Sequence, residues 1–234
     1  MNVDLVPLGD RAFLARFETE AGAIAWHAGM HARLDAHSGV TDVVLAYRSV
    51  AVYFDPERCD PDALAIELRG VTETESDATP GLLITLPVLY DGPDLAVVAA
   101  NLGMRIEELI AAHTSVEYHV FALGFMPGFP YAGYLPDSIA GMSRRAEPRK
   151  SVPAGSVAIA GRQTGVYPQD SPGGWHLIGR TPLVIADLRA GHFPVRAGDR
   201  LKFVAIDPVE YVSRVGEWLE VAGRERICPV EPVS

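Results

Sequence analysis

Residues 124–174 carry nine glycines and seven prolines in 51 positions, against 24 in the other 183. A helix of ordinary length does not survive that density, because proline removes a backbone donor and glycine loses more entropy on folding. The same residues suit tight turns, where proline presets φ and glycine reaches backbone conformations closed to other residues. Phe125, Phe129, Tyr131, Tyr134, Tyr167 and Trp175 lie in or beside the stretch and need burial. The expectation is a rigid, folded segment without regular structure. Irregular segments of this length usually carry function.

Periodic segments frame it. Residues 3–8 and 12–17 are apolar runs around Gly9-Asp10, a hairpin pattern. Ile24, Trp26, His27, Met30 and Leu34 fall at helical spacing in 19–37, with Thr19 as cap and Gly39 as stop. Runs 43–46 and 50–54 read as strands, and 61–69 as a helix capped by Asp60 or Asp62. Polar residues 72–80 read as a linker. Beyond it come a strand at 82–89, helices at 94–102 and 105–113, and a strand at 116–123. Short apolar runs follow at 156–160, 176–178, 183–186 and 201–206, then a helix at 208–221. The expected fold class is α+β: a small α/β domain of order ββαββα at 1–76, then a β-barrel or sandwich at 77–234.

The chain has 20 basic and 30 acidic residues, net −10. That balance argues against a nucleic-acid partner, which needs clustered cations for the phosphates. No apolar run approaches the ~20 residues of a membrane helix. The start, Met1-Asn2-Val3-Asp4, lacks a signal-peptide pattern, and Cys59 and Cys228 are too few for a disulfide framework. A cytoplasmic protein with reduced thiols is expected. His27 and His31 share a helix face and His37 follows, yet no third ligand is in place, so no metal is expected. The only lysines are Lys150 and Lys202, and no glycine precedes Lys150, so there is no P-loop. There is also no Gly-x-Ser-x-Gly elbow.

Against the acidic background, Arg144, Arg145, Arg149 and Lys150 lie within seven residues, with Arg162 and Arg180 in the same region. Guanidinium groups match carboxylate and phosphate oxygens. Gln163, Thr164, Tyr167 and Ser171 can add neutral donors and acceptors. These residues fit a pocket or interface for an anionic ligand. They equally fit tight turns with solvated arginines, and both readings stay open on residue chemistry alone.

Longer motifs carry a resemblance over nearly the whole chain. They are Pro7-Leu8-Gly9-Asp10-Arg11-Ala12, Tyr47-Arg48-Ser49, Phe54-Asp55-Pro56, Pro87-Val88, Gly92-Pro93-Asp94-Leu95, and the segments 124–131, 149–155, 161–168 and 171–180. Together they resemble the family of the bacterial 5-oxoprolinase B subunit, also described as allophanate hydrolase subunit 1 and as the sporulation-kinase inhibitor KipI. The resemblance implies an α/β domain followed by a cyclophilin-like barrel. It implies two partners, the C and A subunits of 5-oxoprolinase, and ATP-dependent opening of 5-oxoproline to glutamate. A related pair of barrels forms the carboxyltransferase part of urea carboxylase. In this reading the chain is inactive alone and shapes a shared site for a small amide substrate, with ATP bound in the complex, on a partner if not on this chain. Arg149 and Arg180 contact anionic groups, Gln163, Thr164 and Tyr167 orient the substrate, and Gly173 and Gly174 allow close backbone approach. His113, Arg145, Ser171 and Trp175 are further candidates, and no catalytic residue is identified. The competing readings are a KipI-like inhibitor of a sensor histidine kinase and a component of allophanate hydrolase in urea breakdown. An exposed partner face would let the chain self-associate when the partner is absent.

Overall fold

A computed structural model describes residues 3–34, 39–71 and 81–224, with backbone only at 31–34. The expected linker at 72–80, His37, Cys228 and the side chain of His31 lie outside the described residues. The chain divides into two compact units, 1–80 and 81–234. Together they make a mixed α/β protein with mostly antiparallel strands and five described helices.

The first unit follows the order ββαββα. Its elements are β1 (Asp4–Pro7), β2 (Ala12–Arg16), α1 (Glu20–Leu34), β3 (Val40–Ala46), β4 (Ser49–Phe54) and α2 (Pro61–Arg69). The strands pair antiparallel in the order β1-β2-β4-β3. Thr19 Oγ1 accepts the Gly22 N–H at 3.1 Å, which starts α1. The Asp60 carboxylate accepts the Asp62 N–H at 3.0 Å, and Pro61 takes the first helical position of α2. Trp26 and Met30 of α1 are buried, as are Val43, Leu45, Val50 and Val52 of the strands. That is the core the periodicity required.

The second unit contains β5 (Leu83–Val88), α3 (Leu95–Asn101), α4 (Ile106–Ser115), β6 (Tyr118–Leu123), β7 (Pro130–Gly133), β8 (Arg149–Val152) and β9 (Ser156–Ala160). It continues with β10 (Gln163–Val166), β11 (Ser171–Gly173), β12 (His176–Arg180), β13 (Arg200–Ala205) and α5 (Pro208–Arg214). Seven strands run in the order β5-β13-β6-β7-β10-β9-β12, and only β5 and β13 are parallel. Leu89, just after β5, exchanges two backbone hydrogen bonds of 2.9 Å with Arg180 at the end of β12. The sheet thereby returns to its first strand and closes, which removes its edges. Strands β8 and β11 form a separate ribbon.

Strand β9 is buried along its whole length. Val157 and Ile159 face the main core with Leu86, Val120, Ile178 and Phe203. Ala158 and Ala160 face a second cluster of Phe129, Val152, Tyr167, Trp175 and Leu177. Phe129, Tyr167 and Trp175 of the Gly/Pro-rich stretch are buried in this second cluster, which covers the other side of the strand, and Tyr131 packs against it. Phe125 and Tyr134, expected to be buried as well, are exposed.

Three expectations change. The Gly/Pro-rich stretch is not irregular throughout, since β7, β8, β10 and β11 lie in it. These strands have only three or four residues, too few to show a period, and ladder bonds from neighbouring strands hold them. Residues 183–186 are not a strand. Val184 makes a single bridge to Trp218, and the run is apolar because Leu183, Ile185 and Ala186 are buried. The last helix stops at Arg214 and does not reach 221, because Gly216 adopts φ +86° and turns the chain back to Val184.

One buried carboxylate ties the ends of this unit together. Asp199 Oδ1 accepts the Leu82 N–H at 2.9 Å and Arg224 Nη2 at 2.6 Å, and Oδ2 accepts the Arg196 N–H at 2.7 Å and Arg224 Nη1. Replacing Asp199 by alanine leaves the nearly buried Arg224 guanidinium without its counter-charge, holding only the Pro194 carbonyl, and strips two backbone donors of their acceptor. It should cost about 3–5 kcal/mol, read as a lowered midpoint in urea unfolding.

Candidate functional site

The arginine cluster is organised by a residue that spacing does not single out. Asp94 sits at the start of α3, yet its side chain does not cap that helix. Its Oδ1 accepts Arg145 Nη1 at 3.0 Å and Arg149 Nη2 at 2.7 Å, and its Oδ2 accepts the Leu177 N–H at 2.8 Å. The Asp94 N–H donates to the Leu177 carbonyl at 3.0 Å. The carboxylate is only 6% exposed. Burial by itself would raise its pKa, but the hydrogen bonds from Arg149 and Leu177 and the two arginine charges outweigh that and hold it below the usual carboxylate range. Gly92 prepares the contact, since a Cβ there would collide with the Leu177 carbonyl.

Two guanidinium groups therefore share one carboxylate. Arg145 Nε and Arg149 Nη1 are buried without a hydrogen-bond partner, and so are Ser171 Oγ and His176 Nδ1. These four residues lie on two segments that are knitted together. Gly173 pairs with Arg149 across β8 and β11, the Arg145 N–H donates to the Gly174 carbonyl at 2.8 Å, and His176 Nε2–H donates to the Ser143 carbonyl at 2.9 Å. Arg144 and Lys150 on the same segment are exposed.

Arg180 belongs to a different pair. Its Nη2 and Nε donate to the Asp91 carboxylate at 2.6 and 3.1 Å, and its guanidinium lies 4.5 Å from the centre of the Tyr211 ring. The hydrogen bond to Asp91 raises its pKa further. Arg180 and Arg149 are thus not brought to one carboxylate.

Several other candidates are buried or half-buried among neighbours in the fold. Thr164 is fully buried inside the closed sheet. Its hydroxyl donates to the Ala158 carbonyl at 3.1 Å, so it accepts from His113 Nε2–H at 2.9 Å. That leaves His113 Nδ1 as acceptor for the Tyr90 hydroxyl at 2.6 Å. The neutral ring is fully satisfied and stacks on Phe203 at 4.6 Å. Tyr167 and Trp175 are core residues of the second cluster. Burial raises the Tyr167 pKa, while the backbone N–H of Trp175 donates to its oxygen and opposes that. Gly173 is small because that oxygen occupies the space a Cβ would need. Gln163 pairs with Gly133 of β7 and is half-buried, and a Cβ added at Gly174 would meet Pro148 and Arg144 only at ordinary contact distance. Among the described residues no group of three or more His, Cys, Asp or Glu is arranged to hold a metal ion.

The His113 pKa falls from 6.5 to about 3 because the ring is buried. Below about pH 6.5 the unfolded chain takes up a proton that the folded chain refuses, so stability should drop toward pH 3 by ~1.4 kcal/mol per pH unit from this group. The matching NMR observation is a His113 ring whose resonances do not titrate between pH 8 and pH 5.

Comparison with known proteins gives the arrangement its relatives. The family model described as carboxyltransferase domain, subdomain C and D, matches residues 3–193. A 5-oxoprolinase B subunit from Escherichia coli O157:H7 is 44% identical over 175 residues, 73% of this chain and 77% of the relative. The protein of that name from Bacillus subtilis is 37% identical over 226 residues, 87% of this chain and 93% of the relative. The crystal structure of TTHA0988 superposes with a TM-score of 0.76 at 37% identity, covering 84% of this chain but only 40% of that one. With identity and coverage this high in two curated relatives, and a family model spanning most of both units, the chain belongs to the family of the 5-oxoprolinase B subunit.

Proposed function

We propose that the chain is the B subunit of an ATP-dependent 5-oxoprolinase, working with the C and A subunits in the cytoplasm and inactive alone. The observation that carries this reading is the 44% and 37% identity to relatives bearing that name. The match to two-fifths of the longer TTHA0988 chain supports a unit that works beside another. The closed sheet of the second unit supports the cyclophilin-like barrel, and a domain boundary at 76/77 suits the division into two units. A cyclophilin-like architecture carries no prolyl isomerase activity with it, because function lives in the site. No described helix is long and apolar enough to cross a membrane.

The chemistry asks for two things. A lactam is a poor electrophile, and ATP, when bound, supplies the phosphoryl group that activates its oxygen. This chain has no glycine-rich phosphate loop, so in this reading ATP belongs on a partner. What the chain offers is positive charge held in a fixed place. Arg149, with Arg145 beside it, attracts the substrate carboxylate and orients the ring. Fixing that group spares the reaction the entropy of positioning. Ser171 and the Gly173-Gly174 backbone lie on the segment knitted to Arg145 and Arg149 and shape the same site. Thr164, Tyr167 and His113 support it from the core.

The test is reconstitution. The chain, combined with the A and C subunits, should release glutamate from 5-oxoproline only when ATP is present, and should leave allophanate untouched. Arg149→Ala should lower that rate by about 10²–10³-fold while gel filtration shows an intact assembly. Turnover of allophanate in place of 5-oxoproline, or none of either by the pure assembled enzyme, sinks the reading.

A further inference from the structure

Phe125 is 60% exposed and sits at φ +68°, a backbone region that favours glycine. The turn around it is well pinned. The Gly124 N–H donates to the Phe129 carbonyl at 3.2 Å, and the Phe129 N–H donates to the Met126 carbonyl at 3.2 Å. Gly128, at φ +81°, packs where a Cβ would collide with the Ala186 side chain. A glycine at 125 would relieve the strain and give up little buried area. The chain instead tolerates strain while holding an aromatic ring in solvent, and strain of that kind gathers at ligand contacts.

The ring's neighbours lead toward the arginines. Phe125 meets Tyr167 edge-on, with ring centres 6.3 Å apart. The Tyr167 hydroxyl lies over Gly173, and Gly173 pairs with Arg149 across the ribbon. The charges of Arg144 and Arg149 both reach the Tyr167 phenol. Arg145 and Arg149 share one carboxylate, so the set keeps a surplus positive charge, and their side chains are 34% and 22% exposed.

We infer that Phe125 and the Arg145/Arg149 pair are the two ends of one binding face for a small ring-bearing monocarboxylate. The carboxylate lies on the guanidinium groups, and the ring lies against Phe125. Asp94 is the positioning residue that holds the charged end. With Asp94 shared between them, Arg145 and Arg149 keep one positive charge, which a single carboxylate balances. The inference rests on the proposed function only for which monocarboxylate this is, namely 5-oxoproline.

Ligand-detected NMR on the full chain can test both ends separately with 5-oxoproline, 2-pyrrolidinone (the ring without the carboxylate) and acetate. The wild-type chain should bind 5-oxoproline at least about tenfold more tightly than either fragment, as two joined contacts require. Phe125→Gly should weaken 5-oxoproline and 2-pyrrolidinone, spare acetate, and leave Tm the same or higher. Arg149→Met should weaken 5-oxoproline and acetate and spare 2-pyrrolidinone. Arg145→Gln, which leaves Asp94 paired with Arg149, gives the same readout if Arg149→Met does not fold. The inference is overturned if the full chain binds none of the probes, or if the variants bind all three as the wild type does. It also falls if Phe125→Gly harms only co-purification with the A and C subunits, since Phe125 would then be a docking residue. Selective carboxylate binding without 5-oxoproline turnover in the assembled enzyme would leave the face standing and remove the proposed function.

Discussion

The carboxylate of Asp94 holds together parts of the second unit that are far apart in sequence. It reaches 51 and 55 residues ahead to Arg145 and Arg149, and 83 ahead to the Leu177 N–H. Through those bonds the start of α3, the approach to β8 and the strand β12 take fixed relative positions. Desolvating a carboxylate is unfavourable, and only charge-assisted hydrogen bonds on both oxygens offset that. Removing either arginine would therefore be felt across the ribbon that shapes the site, and not only at the missing charge. Asp199 does a similar job at the ends of the unit, but its guanidinium partner, Arg224, uses both nitrogens on the one carboxylate. That pair is closed, whereas the Asp94 set keeps positive charge in surplus. The difference separates a clamp from a site.

The interior of the closed sheet follows the same rule in neutral form. Tyr90, His113, Thr164 and the Ala158 carbonyl make a chain in which every donor finds an acceptor. Leaving a buried donor unpaired costs about 1–3 kcal/mol, so the polar residues admitted to this core come as a complete set. Burial keeps His113 neutral with both ring nitrogens satisfied, and Thr164 faces the interior where it completes the set. Alternation along β10 puts Thr164 inside and Gln163 toward the surface.

Much of the first unit is legible in the sequence, because its helices and strands each bury one face and so display a period. Thr19 and Asp60 announce their helices by local hydrogen bonds that need no distant partner. The second unit hides more. Strand β9 is buried on both faces, so it shows a continuous apolar run and no alternation. The short strands of the Gly/Pro-rich stretch take their conformation from partners elsewhere in the ladder, which local composition cannot report. The cationic cluster at 144–150 is visible as a charge anomaly, but the partner that gives it a shape is not. Asp94 reads as the start of a helix, and nothing in its spacing ties it to arginines fifty residues away. Placing Thr164, Tyr167 and Gly173 at a ligand is reasonable from residue type. Their burial depends on which face of a strand they occupy, and register settles that.

The acidity of the chain sharpens the meaning of the surplus charge. With 30 carboxylates available, a guanidinium at the surface could have been paired with little difficulty. Arg180, Arg200 and Arg214 each have a carboxylate partner. At 144–150 four cations are served by Asp94 alone among the described ion pairs, although Glu147 stands between them. Exposed pairs stabilise a fold by little, so supplying another carboxylate here would have gained almost nothing for stability. Withholding it preserves a local positive potential in a protein whose net charge would otherwise repel an anion. A small acid approaching this chain is therefore turned away by most of the surface and drawn toward one place, where a fixed aromatic ring and a braced pair of arginines meet it.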